Sequence, residues 1–353
     1  MVEEVAIPLW NRRILMDDLF ARQYVNHILD CHRESLRIGF LGGSLTKGEM
    51  VKKDQCFVSL FEQGIREVVG DDREITILRY GESGTLSANA LFRMGDLIAE
   101  KPDLVFVDYA MNDPGDRYLW ETTEGILYQL LKAGSGVIGL LFCNDRGSCT
   151  RGAMERAASH YRIPVYDIGQ KIFSQVQKGT MAWQDYAQDY VHPTVFGHQM
   201  IAGYLLDLFH PVAVPETNED FRVPAKPAFE GAFRQTQIWD FKERMKGAKP
   251  GDVIYEAEIS FRMLLMEFYQ DHVLNPASAM IALDGKRITS AEAYASMAWG
   301  NRVCRYIGGE GSLEKHRLTV TLGKGTPAAG WDYSQLCLRF LLGLSEFPGS
   351  LAD

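Results

Sequence analysis

The stretch Arg37-Ile38-Gly39-Phe40-Leu41-Gly42-Gly43-Ser44-Leu45-Thr46 decides how the first half of the chain is read. A short, mostly apolar run meets a glycine pair and then a hydroxyl residue. Two glycines permit a tight turn, so a strand over 37–41 leaves Ser44 at its carboxyl end, where open α/β sheets hold their ligands. Downstream, Phe57, Leu60, Phe61, Ile65 and Val68 recur at helical spacing. Upstream, Leu15, Leu19, Tyr24, Ile28 and Leu29 mark an amphipathic helix over 14–30. Further apolar runs at 75–79, 104–109, 137–143 and 163–167 read as strands, separated by helical stretches that include 150–161 and 195–209. Short apolar strands alternating with helices predict a parallel sheet covered on both faces.

The pattern changes after residue 210. Pro211, Pro215, Pro224 and Pro227 are four of the thirteen prolines, and they flank the acidic stretch Glu216 to Asp220. Such a segment cannot continue a helix and reads as a semi-rigid linker. Beyond it, strands are expected at 253–261, 279–283, 316–322 and 336–344, with a turn at Asp284-Gly285. Alternation of Leu318, Val320 and Leu322 with Thr319 and Thr321 is the period of a half-buried strand. The expected organisation is an α/β domain over 1–212, a Pro-rich linker over 213–230 and a β-sandwich of jelly-roll type over 231–353.

Composition narrows the function classes. With 46 acidic and 37 basic residues among 353, the net charge is -9. A general nucleic-acid binder would show a basic stripe instead. No basic start with an apolar leader opens the chain, and no apolar run nears the roughly 20 residues needed to span a bilayer. The six cysteines are scattered without a C-x-x-C pair and read as reduced, mostly buried thiols. These features place the protein in the cytoplasm, without nucleic-acid or membrane partners; a homodimer is the expected assembly. The histidines show no paired ligand spacing, so neither a catalytic metal nor a cofactor is expected.

Four segments carry chemistry: Gly42-Gly43-Ser44-Leu45-Thr46, Gly81-Glu82-Ser83-Gly84, Ala110-Met111-Asn112-Asp113 and Asp189-Tyr190-Val191-His192-Pro193. The first three each follow an expected strand. A serine hydroxyl is a poor nucleophile until an imidazole removes its proton, and the imidazole needs a carboxylate to fix its tautomer. Asp189 is spaced to orient His192, and His192 to meet Ser44 above the sheet. Amides at Ser44 and Gly84, with the side-chain amide of Asn112, supply three donors for an oxyanion.

In this order the four segments resemble the block signatures of SGNH hydrolases, a group of GDSL-type esterases, over about residues 35–210. The resemblance implies Ser44 as nucleophile, His192 as general base, Asp189 as its partner, and Gly84 and Asn112 beside Ser44 as oxyanion donors. It also implies a three-layer, flavodoxin-like sheet of about five strands. Two positions depart from the family pattern: Gly43 stands for the aspartate of the GDS signature, and Ala110 for the glycine of G-x-N-D. With the appended sandwich, the chain is most similar to the acetyl-mannan esterases of carbohydrate esterase family 17. That implies removal of O-acetyl groups from mannooligosaccharides, with a carbohydrate-binding-like second domain. The other readings are lipid or thioester hydrolysis on the same triad, sugar binding with an idle hydrolase site, and acyl transfer to another sugar.

Outside the four roles, Asp113 is a candidate substrate contact or a loop-stabilising Asx-turn residue. Trp183, Tyr186 and Tyr190 lie just upstream of His192 in a loop that either packs on itself or forms part of a sugar subsite, with Trp183 and Tyr190 the candidate contacts. In the second domain, Trp331 is the candidate contact, whereas Trp299 is expected in the core. His198 is expected to pack or cap within the following helix.

Overall fold

A computed structural model describes residues 16–70, 72–113, 115, 118–213, 231–273, 277–309, 312–325 and 332–344. The chain divides into two compact units, Met1–Ala228 and Phe229–Asp353.

The first unit is built on five parallel strands: β1 (Ser35–Gly42), β2 (Glu74–Gly81), β3 (Leu104–Asp108), β4 (Gly136–Leu141) and β5 (Val165–Asp167), in the order β2-β1-β3-β4-β5. This is the flavodoxin-like arrangement expected from sequence. Strands β3 and β4 are buried along their whole length, which is why they lack polar alternation. On one face Phe40 meets Phe57, Phe61 and Phe106 at ring distances of 6.0, 5.3 and 5.1 Å, and Phe61 meets Phe209 at 5.4 Å. That cluster seats the helix Phe57–Val69 against the sheet. On the other face a Cβ at Gly39 would lie 3.3 Å from a Leu97 methyl of the helix Met94–Ala99.

The leading helix runs from Asp18 to Cys31 and buries Ala21, Tyr24, Val25 and Ile28. Leu19, read as part of its apolar face, is instead exposed. The buried stripe runs through Ala21, Tyr24, Val25 and Ile28, off the side that carries Leu19, and the Tyr24 hydroxyl on it accepts the Val137 amide at 3.0 Å. No helix among the described residues is long and apolar enough to cross a membrane. All six cysteines are free thiols, but only Cys56 and Cys143 are buried. Cys31 is exposed because it is the last residue of the leading helix, off its buried stripe.

The second unit is a β-sandwich. One antiparallel sheet contains β7 (Val253–Phe261), β9 (Ser278–Leu283), β10 (Lys286–Glu292) and β12 (Glu314–Leu322); the other contains β6 (Thr236–Asp240), β8 (Met263–Gln270), β11 (Asn301–Gly308) and β13 (Arg339–Gly343). Phe261, Ile281, Leu318 and Val320 from the first sheet and Leu264, Met266, Phe268 and Phe340 from the second belong to one buried core. Asp284 and Gly285 both hold positive φ, 51° and 77°, as a two-residue hairpin turn between β9 and β10 requires. Trp299, expected in the core, is 65% exposed. It lies in the connection between β10 and β11, outside the alternation that turns strand residues inward. The Pro-rich segment from 214 to 230 and Trp331 lie outside the described residues.

Candidate active site

The sheet order reverses between β1 and β3, and ligand sites of open α/β sheets form at such a switch point. Ser44 follows β1 there, and Asn112 follows β3. The Gly43 amide donates to the Asp108 carbonyl at 3.3 Å, and the Glu82 amide to the Gly42 carbonyl at 3.0 Å. The ends of three strands are thereby tied together. Gly42 must be glycine: a Cβ would lie 2.2 Å from Thr46 Oγ1 and 2.9 Å from the Asp108 carbonyl oxygen. Ser44 opens a short helix, Ser44–Lys47, which Gly48 ends at φ 80°.

The loop 187–193 brings the acid and base to this serine. Ala187 and Pro193 pair as an isolated antiparallel bridge, and the Gln188 amide donates to the His192 carbonyl at 2.8 Å. Within the closed loop, Asp189 Oδ1 accepts from the amides of Val191 and His192 at 2.8 and 2.7 Å. Its second oxygen, Oδ2, lies 2.7 Å from His192 Nδ1, and His192 Nε2 lies 3.0 Å from Ser44 Oγ. Burial opposes charge on Asp189, but the bonds from the His192 ring and from the His192 and Val191 amides outweigh it and hold the carboxyl below its usual range. A permanent anion therefore faces Nδ1, which leaves Nε2 free to take a proton from the serine.

The oxyanion candidates also converge on this end of the sheet. Among the described residues the Ser44 and Gly84 amides donate to no protein acceptor, and Gly84 holds φ 68°. Asn112 Nδ2 donates to the Thr85 carbonyl at 3.1 Å, which leaves its second hydrogen available. The same nitrogen lies 2.7 Å from where a Gly43 Cβ would stand, next to the nucleophile. In this chain the amide takes up the space that the Cβ of a GDS aspartate would occupy.

For Asp113 and Trp183 the structure shows the packing alternative of each reading. Asp113 is 6% exposed, and its Oδ1 accepts the Ser87 amide at 2.8 Å. It buttresses the loop that presents Asn112 rather than facing a substrate. Trp183 donates its indole N–H to the Asp189 carbonyl at 2.8 Å and packs edge-on against the buried Tyr186 at 5.2 Å. Both contacts tie its indole into the loop that carries Asp189 and His192. Tyr190 is 62% exposed on the same loop and retains a free aromatic face. His198 is fully buried, and its Nδ1 accepts the Phe57 amide at 3.2 Å, capping the helix Phe57–Val69 as expected.

Some neighbours left no trace in the sequence reading. Thr46 Oγ1 donates to Asp108 Oδ2 at 3.0 Å beneath the nucleophile turn. Burial pushes the Asp108 carboxyl up to about 7, against the Thr46 hydroxyl bond and with the help of nearby Asp113. Glu49 accepts from Ser83 and pairs with Lys47 at 3.3 Å. The Thr46–Asp108 and Glu49–Ser83 pairs have no sequence spacing that announces contact; both are created by neighbouring strand ends.

Known proteins share the fold of this chain. Residues 40–200 match the GDSL-like Lipase/Acylhydrolase family. The chain is similar to the crystal structure of a two-domain esterase (CEX) active on acetylated mannans, with TM-score 0.79 and 20% identity over 92% of this chain and 96% of that one. A second structure of that esterase, co-crystallised with mannopentaose, gives TM-score 0.76 and 19% identity over 92% and 95% of the two chains. No curated protein sequence matches this chain.

Proposed function

We propose that this chain, whose residues 40–200 form a hydrolase domain of the GDSL-like lipase/acylhydrolase family, is a carbohydrate O-acetyl esterase acting on acetylated mannooligosaccharides. The observation that carries the reading is the continuous relay from Asp189 through His192 to Ser44, with links of 2.7 and 3.0 Å. In the proposed cycle His192 Nε2 removes the Ser44 proton as Oγ attacks the acetyl carbonyl carbon. The oxyanion is received by the amides of Ser44 and Gly84 and by Asn112. The bond to the sugar oxygen then breaks, and that oxygen leaves with the proton from His192. Water, deprotonated by His192, attacks acetyl-Ser44; acetate departs and Ser44 regains its proton. The carbohydrate part of the reading is supported by the likeness to an esterase active on acetylated mannans along both units. A cytoplasmic setting is part of the same proposal.

Acetate release from acetylated mannooligosaccharides, followed by mass and compared with octanoyl esters and acyl thioesters, tests it. Wild-type protein is expected to prefer the acetylated sugar, and folded Ser44→Ala to lose the activity. A higher kcat/KM for octanoyl esters would make the chain a lipid hydrolase. Acetyl appearing on an added sugar instead of in water would make it an acyltransferase.

A further inference from the structure

The proposed cycle uses neither Glu49 nor Ser83, yet the two meet beside the nucleophile. Glu49 is anchored by its own backbone: its amide donates to the Ser44 carbonyl at 3.0 Å. Its carboxylate reaches across to the next strand end, where Oε2 accepts from Ser83 Oγ. Lys47 Nζ lies 3.3 Å from the same oxygen. Ser83 is buried, and Gly84 follows it at φ 68°. The peptide between the two carries the Gly84 N–H, so whatever holds Ser83 also aims that donor. The Glu49 carboxyl is held below its usual range, first by the Ser83 hydroxyl, against burial, and then by Lys47 and the charge of His192. It is therefore ionised at neutral pH, and an ionised acceptor makes a shorter and stronger bond than a neutral one. Met50, the next residue, holds φ 69° although it is not glycine. Such a conformation persists only where its surroundings enforce it.

From this geometry we propose that Glu49 is a positioning residue: through Ser83 it holds the Gly84 amide where negative charge develops in the tetrahedral intermediate. The inference rests on the esterase reading above. An amide aimed at the intermediate acts in the transition state more than in the bound substrate, so its loss appears in kcat rather than in KM.

Steady-state kinetics on a small chromogenic acetate tests the inference. Glu49→Ala and Ser83→Ala are each expected to lower kcat about tenfold, with KM changed less than about twofold. Glu49→Gln, whose amide oxygen still accepts from Ser83, should stay within about threefold of wild type. The double variant Glu49→Ala/Ser83→Ala should be no slower than either single variant, because both remove one link. Glu49→Asp keeps the charge but withdraws the acceptor; it should match the alanine loss, and it serves if an alanine variant fails to fold. Multiplied losses in the double variant, a change confined to KM, or a glutamine variant as slow as the alanine one would overturn the inference. Ser44→Ala is assayed alongside. If Ser44→Ala keeps its activity, the esterase reading fails whatever Glu49 does. If Ser44→Ala is inactive and the Glu49 variants run at wild-type speed, only the present inference fails.

Discussion

At Gly43 a missing methyl group and a catalytic geometry are the same fact. Its φ of -87° lies outside the left-handed region that favours glycine. What the glycine provides is room, since a Cβ would stand 2.7 Å from Asn112 Nδ2. That nitrogen ends a side chain and can move aside at little cost to folding, but it cannot move and still occupy the same place beside Ser44. Gly43→Ala is therefore expected to fold with a thermal midpoint within about 2 °C of wild type and to lose roughly tenfold or more in kcat, as for a displaced oxyanion donor. Unchanged kcat in the folded variant would place the Asn112 amide outside the chemistry. The proposed triad of Ser44, His192 and Asp189 was picked out by residue type and order, and the structure brings the three side chains together. Glu49, Thr46 and Asp108 were not legible, because an ordinary Glu, Thr or Asp acquires its partner only when β1, β2 and β3 lie side by side.

Two helices hold the site's floor in place, and His198 joins them. It belongs to the helix Val195–Asp207, whose start is capped by Thr194 accepting the Gly197 amide at 3.0 Å. From there its ring stacks on Phe57 at 5.9 Å and accepts the Phe57 amide at the start of the helix Phe57–Val69. Burial, aided by the charge of His192, lowers its pKa from 6.5 to about 4. A group so depressed binds more protons unfolded than folded between these values. Its contribution to stability is thus complete above about pH 6.5 and is lost as the pH falls through about 4. His198→Ala should cost on the order of 2 kcal/mol at pH 7.5, from the lost cap and the cavity. The gap to wild type should narrow steadily toward pH 4, as read from denaturant melts at several pH values. A gap that widens on acidification would show that His198 is charged in the folded state. Helix existence here was legible from apolar spacing. Several strands of the sandwich were not: β8 is buried from Met263 to Phe268, which erases the alternation, while β10 and β11 are mixed in burial and rich in charge.

On the scale of the whole molecule, the two units each carry a core of their own, so a cut between Ala228 and Phe229 removes one without dividing the other. In the proposed reaction the acetyl group is too small to supply much binding energy, so discrimination among esters falls to the sugar, and contacts remote from the reacting carbon serve to position it. Under the proposed function the sandwich contributes to that recognition. Deleting residues 229–353 should therefore lower kcat/KM for acetylated oligosaccharides far more than for a small chromogenic acetate. Near-UV circular dichroism on the truncated protein provides the folding control. Equal losses on both substrates in a folded truncation would make the second unit a support and nothing more.

The sequence by itself determined the parallel sheet, the sandwich that follows it and the three residues proposed as the triad. Each of these rests on information carried locally: apolar periodicity for strands and helices, glycine pairs for turns, and residue types that few purposes other than acyl transfer would group in that order. The tertiary structure decided the rest. It bonded Asp113 and Trp183 into the loops around the candidate site, exposed Trp299 and Leu19, and joined Glu49 to Ser83 across two strand ends. Those outcomes depend on which strands become neighbours and which faces they cover, and a hydrogen bond between residues 34 positions apart has no counterpart in local sequence until the sheet forms.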